Sequence, residues 1–164
     1  MHRLFRAPIL LLTLFLCTAA SAENAAYVGR HESNPRDVEA IMTLTKDFRS
    51  ALSDKNVKRL SELVLNSNIL FASPGTNYDG VPSGGYERFA QFVSSARVPI
   101  EQKFHSIQIT QDGHLAWVSF DFEFLQDAKV VNYGFETWQV LKTAGDRWKI
   151  LSVVWTSHGP PPPQ

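Results

Sequence analysis

The sequence has one cysteine, Cys17, and it lies in an apolar stretch near the N-terminus. Residues 1–22 begin with basic side chains, continue through this apolar stretch and end in three small residues. The pattern is typical of a signal peptide, here with cleavage near Ala22-Glu23, and the apolar stretch is too short for a permanent membrane anchor. We therefore expect a periplasmic or secreted protein with no cysteine for disulfides or thiolate chemistry.

Several features that carry chemistry in other proteins are missing. The sequence has 16 basic and 16 acidic residues, and the leader holds two arginines and no acid, so residues 23–164 are slightly acidic. A chain of this charge, without a basic stripe, is not expected to bind nucleic acid. The scattered histidines predict no metal site. Without a GxSxG motif or a phosphate-binding loop, the sequence predicts no catalytic triad and no cofactor.

The sequence after the leader divides into three parts. Residues 23–34 predict a flexible segment, and residues 35–158 predict a single domain that is long enough to bury its own core. Residues 159–164 are rich in proline and predict an extended tail in solvent.

The first half of the domain predicts three helices and one short strand. Asn34, followed by proline and soon by an acid, predicts a helix start, and apolar residues at three- and four-residue spacing continue this helix to about Asp54. A shorter helix begins near Val57, a short strand covers residues 69–72, and a third helix follows Gly85.

The second half predicts a meander of four strands, over residues 105–109, 116–124, 135–140 and 148–155. The first three alternate between apolar and polar side chains, and short turns separate all four. Helices followed by such a meander predict an α+β fold, a cone-shaped roll of a curved antiparallel sheet packed on three N-terminal helices.

Hairpin pairing assigns the side chains of this sheet to two faces. We centre the turns on Asp112-Gly113, Asp127-Ala128 and Ala144-Gly145 and place cross-strand partners on the same face. The mostly apolar face, expected to lie under the helices, holds His105, Ile107, Ile109, Ala116, Val118, Phe120, Phe122, Phe124, Val131, Tyr133, Phe135, Thr137, Gln139, Ile150, Ser152 and Val154. The opposite face holds Trp117, Ser119, Asp121, Glu123, Glu136, Trp138, Leu151, Val153 and Trp155.

Three tryptophans fall together on the opposite face in this assignment: Trp117, Trp138 and Trp155. Together they form a large apolar patch beside polar neighbours, and such a patch usually marks an interface. We therefore predict a homodimer that forms through this face of the sheet.

The order of these elements resembles the nuclear transport factor 2-like superfamily, and within it the SnoaL-like and ketosteroid-isomerase-like branches. The resemblance covers about residues 36–158 and rests on the segments 78–80, 112–117, 145–150 and 154–157. It implies a cystatin-like cone with an interior, found in isomerases, cyclases, dehydratases, ligand-binding proteins and oligomerisation domains, so it does not select one activity.

Two departures from the family pattern limit what the resemblance implies. Many SnoaL-like members carry two pocket histidines on the last strand, and Ser152 and Val154 stand at those positions here. Ketosteroid isomerases need a carboxylate in the pocket, and our assignment places Asp121, Glu123 and Glu136 on the other face.

The candidate site combines His105 with Tyr133 on the inner wall. We expect the pocket to bind a small apolar or aromatic molecule between Ile107, Phe120, Phe122, Phe135, Thr137 and Ser152, with His105 orienting it. The alternative is a cofactor-independent isomerase or lyase in which His105 is the base and Tyr133 the oxyanion donor. A third interpretation is a structural dimerisation module whose cone is filled by its own phenylalanines.

Overall fold

Three helices and one short strand precede an antiparallel meander in the part of the chain that the computed structural model describes, residues 31–73 and 85–160. Helix α1 (Pro35–Ser53) begins as predicted, because the side chain of Asn34 accepts a hydrogen bond from the Arg36 backbone N–H. Helix α2 (Val57–Leu63) and helix α3 (Gly85–Ser95) also lie where the apolar spacing placed them. Within the described residues, no helix is long and apolar enough to cross a bilayer.

Some predictions fall on other parts of the chain. The signal peptide with its cleavage site, most of the predicted flexible segment and the end of the proline-rich tail lie outside the described residues, and so does the Tyr78-Asp79-Gly80 turn. These stay predictions.

The strands form one five-stranded sheet, in the order β1-β5-β4-β3-β2, and β1 lies between α2 and α3 in the chain. Its strands are β1 (Leu70–Ala72), β2 (Ile100–Asp112), β3 (Leu115–Gln126), β4 (Lys129–Thr143) and β5 (Arg147–Trp155). Strands β2 to β5 form an antiparallel meander, and β1 pairs parallel to β5. The predicted α+β class, with a curved sheet on three helices, is confirmed. We call the face toward the helices the inner face and the opposite one the outer face.

The core lies between the helices and the inner face. Ile41, Phe48 and Leu52 of α1 are almost completely buried there against β3 and β4 residues such as Val118 and Val140. Burial of this apolar surface is the main favourable term in folding.

A buried acid in the first turn of α1 ties this helix to the sheet. The carboxylate of Asp37 accepts hydrogen bonds from Lys142 Nζ at 2.9 Å, Trp148 Nε1 at 3.2 Å and Gln111 Nε2 at 3.1 Å. The bond from Lys142 is the main reason that the pKa of Asp37 lies below its ordinary value. Three strands thus hold the start of α1, which fixes the helix over the inner face.

Three β-bulges interrupt the sheet, and none of them was predicted. They lie in β2 between His105 and Gln108, in β4 at Val131 and in β5 at Leu151. Each adds one residue to one strand, and one extra residue exchanges the faces of all side chains beyond it. Our face assignment is therefore right on one side of each bulge and wrong on the other.

Strand β4 shows this effect most clearly. The Asp127-Ala128 turn is centred as predicted, with positive φ at both residues, and Gln126 pairs with Lys129. Beyond the bulge Phe120 pairs with Glu136 instead of Phe135. Glu136 consequently lies on the inner face and Phe135 on the outer face.

The other two hairpins differ in similar ways. The first turn is Gly113-His114, between the paired residues Asp112 and Leu115, and not Asp112-Gly113. This shift by two residues leaves the side chains near the turn on their predicted faces. The bulge at Ser106, where φ is 54°, moves the side chains before it to the opposite faces. In β5, Ile150 is buried as predicted, whereas Val153 replaces Ser152 in the core.

The predicted patch of three tryptophans does not exist. Trp138 is completely buried on the inner face, Trp155 is partly buried against the core, and Trp117 is exposed on the outer face. Their assignment to one face is wrong because the bulges in β4 and β5 move Trp138 and Trp155 to the inner face, whereas Trp117 on β3 stays on the outer face. The homodimer itself stays a prediction, and the outer face still exposes Leu115, Trp117, Phe135 and Val154.

Candidate functional site

The two residues predicted to act together, His105 and Tyr133, lie on the outer face and not in the cone. His105 pairs with Asp121, and its side chain is half exposed. Tyr133 pairs with Glu123 and is also exposed. Their placement on the inner wall was wrong because the bulges in β2 and β4 reverse both strands at these positions.

His105 and Tyr133 nevertheless share one shallow depression of the outer face. His105 Nε2 lies 3.4 Å from Glu123 Oε2, and the ring of Tyr133 lies 5.3 Å from the ring of His158. Water reaches both the imidazole and the carboxylate, so their interaction is weak. Within the described residues, no group of three or more His, Cys, Asp or Glu side chains could hold a metal ion.

The predicted polar pair Thr137 and Ser152 is also on the outer face. Thr137 Oγ1 donates to the backbone oxygen of Val154, and Ser152 Oγ contacts Gln139 Oε1 at 3.2 Å. The bulge at Leu151 shifts the register, so Thr137 and Ser152 are not cross-strand partners. Both hydroxyls have their hydrogen-bond partners within the sheet and do not reach the interior of the cone.

The predicted apolar lining is partly right. Phe122 lines a cavity inside the cone. Phe120 is buried on the inner face but packs inside the core, with its ring 3.9 Å from that of Phe104. Ile107 packs partly buried against the core, and Phe135 is exposed on the outer face.

This cavity, of about 400 Å³, opens between α3 and the inner face of the sheet. Half of its lining side chains are aromatic: Phe48, Phe71, Phe89, Phe92, Phe122, Phe124 and Trp155. The polar lining residues are Ser73, Arg88, Gln102, Asn132 and Glu136, and Gly85 and Val153 complete the lining. Among the described residues, the phenylalanines of the cone line this cavity instead of filling it.

Among the described lining residues, Glu136 is the ionisable side chain that is buried. It is 3% exposed, its Oε1 accepts a hydrogen bond from Trp138 Nε1 at 2.6 Å, and its Oε2 accepts one from Gln102 Nε2 at 2.8 Å. Burial raises the pKa of the carboxyl from 4.5 to about 7, although both hydrogen bonds act in the opposite direction. Near neutral pH this carboxyl is therefore close to half-protonated.

The two described hydrogen-bond donors to Glu136, Trp138 and Gln102, are neutral side chains. Among the described residues, no lysine, arginine or histidine forms a salt bridge with this carboxylate. Arg88 lines the same cavity but is exposed on α3. Arg49 Nε donates to the Gln102 backbone oxygen at 3.0 Å, and its guanidinium lies over the ring of Phe104.

Sequence reasoning missed Glu136 because it relied on an uninterrupted register. One local signal was available: Glu136 and Trp138 are two residues apart on one strand and so share a face. A buried indole N–H needs an acceptor, and Glu136 is the acidic side chain that can provide one at this spacing.

No protein-family model matches the sequence, and no curated protein matches it. Solved structures do match. A protein with a cystatin-like fold from Nostoc punctiforme is 17% identical with a TM-score of 0.59, over 77% of this chain and 95% of that one. An NTF2-like protein from Cytophaga hutchinsonii is 19% identical with a TM-score of 0.59, over 77% of this chain and 100% of that one.

A third example is an NTF2-like protein from Methylobacillus flagellatus, 15% identical with a TM-score of 0.60 over 78% of this chain and 97% of that one. Similarities at this level of identity establish the fold and leave the activity open.

Proposed function

Because the chain has the nuclear transport factor 2-like fold, as the resemblance implied, we propose that it binds a small apolar or aromatic molecule in the cavity of its cone. The observation that carries this proposal is a cavity lined mainly by aromatic rings, with one buried carboxyl among them. Ligand sites usually have this composition, an apolar wall with a few polar groups that fix orientation. About 400 Å³ accommodates a molecule of one or two rings.

Calorimetric titration with naphthol tests this proposal. We expect saturable one-to-one binding with a negative heat-capacity change, because apolar surface is buried. Asn132 lines the cavity, and the Asn132→Phe variant should weaken binding by roughly tenfold or more because the new ring occupies the space. Thr137→Phe is the matched control, since it adds the same ring to the outer face of the same strand.

Two results would count against ligand binding in the cone. One is equal affinity in both phenylalanine variants, which would place naphthol elsewhere on the protein. The other is the absence of saturable binding by the unmodified chain.

Proton transfer next to a carbonyl is the second candidate, and it now rests on Glu136 instead of His105. A carboxyl with a pKa of about 7 can accept and return a proton near neutral pH. In this reaction the Glu136 carboxylate takes a proton from the carbon next to the carbonyl, and the negative charge moves to the carbonyl oxygen. The amide of Asn132 lines the same cavity and is a donor for that oxygen.

Deuterium uptake by tetralone in heavy water measures this activity. We expect exchange at the carbon next to the carbonyl, and Glu136→Gln should slow it by about a hundredfold or more because the amide is not a base. Naphthol affinity in the same variant reports whether the cavity is intact. Unchanged exchange in a variant that still binds naphthol would exclude Glu136 as the base.

A further inference from the structure

The buried carboxyl of Glu136 shares its cavity with one basic side chain among the described lining residues, Arg88, which is exposed on α3. Buried carboxylates are usually paired with a cation or coordinate a metal, because an isolated buried charge is costly. Glu136 instead accepts two hydrogen bonds from neutral side chains and forms no salt bridge with a described residue. Arg88 is not paired with this carboxylate, so a cationic ligand can serve as its counter-ion.

The walls around Glu136 suit a cation as well. Organic cations are attracted to the faces of aromatic rings, most strongly where water is excluded. Phe48 and Phe89 enter the cavity from the helices, and Phe122 and Trp155 enter it from the sheet. Aromatic rings from the helices and from the sheet therefore line the cavity that contains the carboxyl.

We propose that the ligand of this cavity is an organic cation, an amine with an aromatic or apolar body, and that Glu136 is its counter-ion. The inference rests on the proposed function, since it assumes that the cavity binds a ligand. The ammonium group contacts the Glu136 carboxylate at the inner end of the ligand, and the aromatic side chains enclose the rest. A neutral ligand of the same shape loses the charge interaction and keeps the apolar contacts.

Ammonium binding also changes the protonation of Glu136. Its pKa is about 7 in the free protein, and a cation beside the carboxyl lowers it, so binding at pH 6 releases a proton. Arg88 on α3 is the other charged side chain among the described lining residues. The residues that α1, β1, β2, β3 and β5 contribute to the lining carry no titratable group with a charge near this pH.

Titration with phenethylammonium and with phenethyl alcohol tests the inference. The unmodified protein should bind the ammonium about tenfold more tightly than the alcohol. Glu136→Gln should remove this preference, so that the two probes bind with similar affinity. Glu123→Gln is the matched control, because it removes an acid of the outer face, and it should keep the preference.

Calorimetry in two buffers of different ionisation enthalpy provides a measurement that needs no variant. At pH 6, phenethylammonium should release a proton on binding, and phenethyl alcohol should release none. Equal affinities for the two probes, or ammonium binding without proton release, would overturn the inference and leave ligand binding intact. If neither probe binds saturably, the proposed function fails together with the inference.

Discussion

Replacement of Phe120 by alanine is expected to lower the free energy of unfolding by about 3–5 kcal/mol, the usual cost of removing a buried phenylalanine. The side chain is 1% exposed. Its ring stacks on Phe104 at 3.9 Å and meets the edge of Trp138 at 5.3 Å. Helices and sheet hold the surrounding side chains, so the cavity left by the ring collapses only in part. Urea unfolding monitored by circular dichroism measures the loss.

Phe135→Ala is the matched control for this prediction. Phe135 would share the face of Phe120 in an unbroken register, but the bulge at Val131 places it on the outer face, where it is 47% exposed. Its removal should cost less than about 1 kcal/mol. Equal destabilisation by the two substitutions would contradict the pairing of Phe120 with Glu136 and the bulge in β4 that produces it.

The helices and the meander of β2 to β5 were predictable because their signals are local, whereas the parallel pairing of β1 with β5 was not predicted. Asn34 and Asn56 cap the helices that begin at Pro35 and Val57 through their own side chains. Nothing distant along the chain is needed to recognise such a cap. The Asp127-Ala128 turn was likewise visible in a few residues, and the hairpin around it has the predicted centre.

The faces of the strands were not predictable in the same way, because a bulge has no comparable local signal. Ser106 adopts a positive φ, which a serine side chain does not predict. The bulge decides which of His105 and Phe104 points inward, and the answer depends on packing across the whole sheet. Aromatic Phe104 is preferred in the core next to Phe120, and His105 is left toward solvent.

The same physical reason explains which part of the site was found. Phe122 lies on β3, a strand whose faces were assigned correctly, so it lines the cavity as predicted. Glu136 lies beyond the bulge of β4, and a purely apolar core pattern would place a glutamate outside. It is inside because Trp138 and Gln102 supply two hydrogen bonds that reduce the cost of its burial.

Glu136→Gln should remove a pH dependence of stability that the carboxyl imposes on the fold. Below pH 4.5 the carboxyl is protonated in both the folded and the unfolded chain, so its ionisation contributes nothing. Between pH 4.5 and about 7 the unfolded chain gives up this proton and the folded chain keeps it, so the free energy of unfolding falls as pH rises. Above that range the full cost, about 3 kcal/mol, is present.

The variant should therefore match the unmodified protein near pH 4 and exceed its stability by up to about 3 kcal/mol at pH 8. The introduced amide keeps the shape of the carboxyl, and Gln102 can rotate its own amide to accept from it. Urea unfolding at both pH values measures the difference, in which the other titrating groups cancel. A gap of the same size at pH 4 and pH 8 would mean that folding leaves the pKa of Glu136 unchanged, so that the carboxyl is ionised near neutral pH. The buried acid would then favour neither the proton transfer nor the proton release proposed for the cavity.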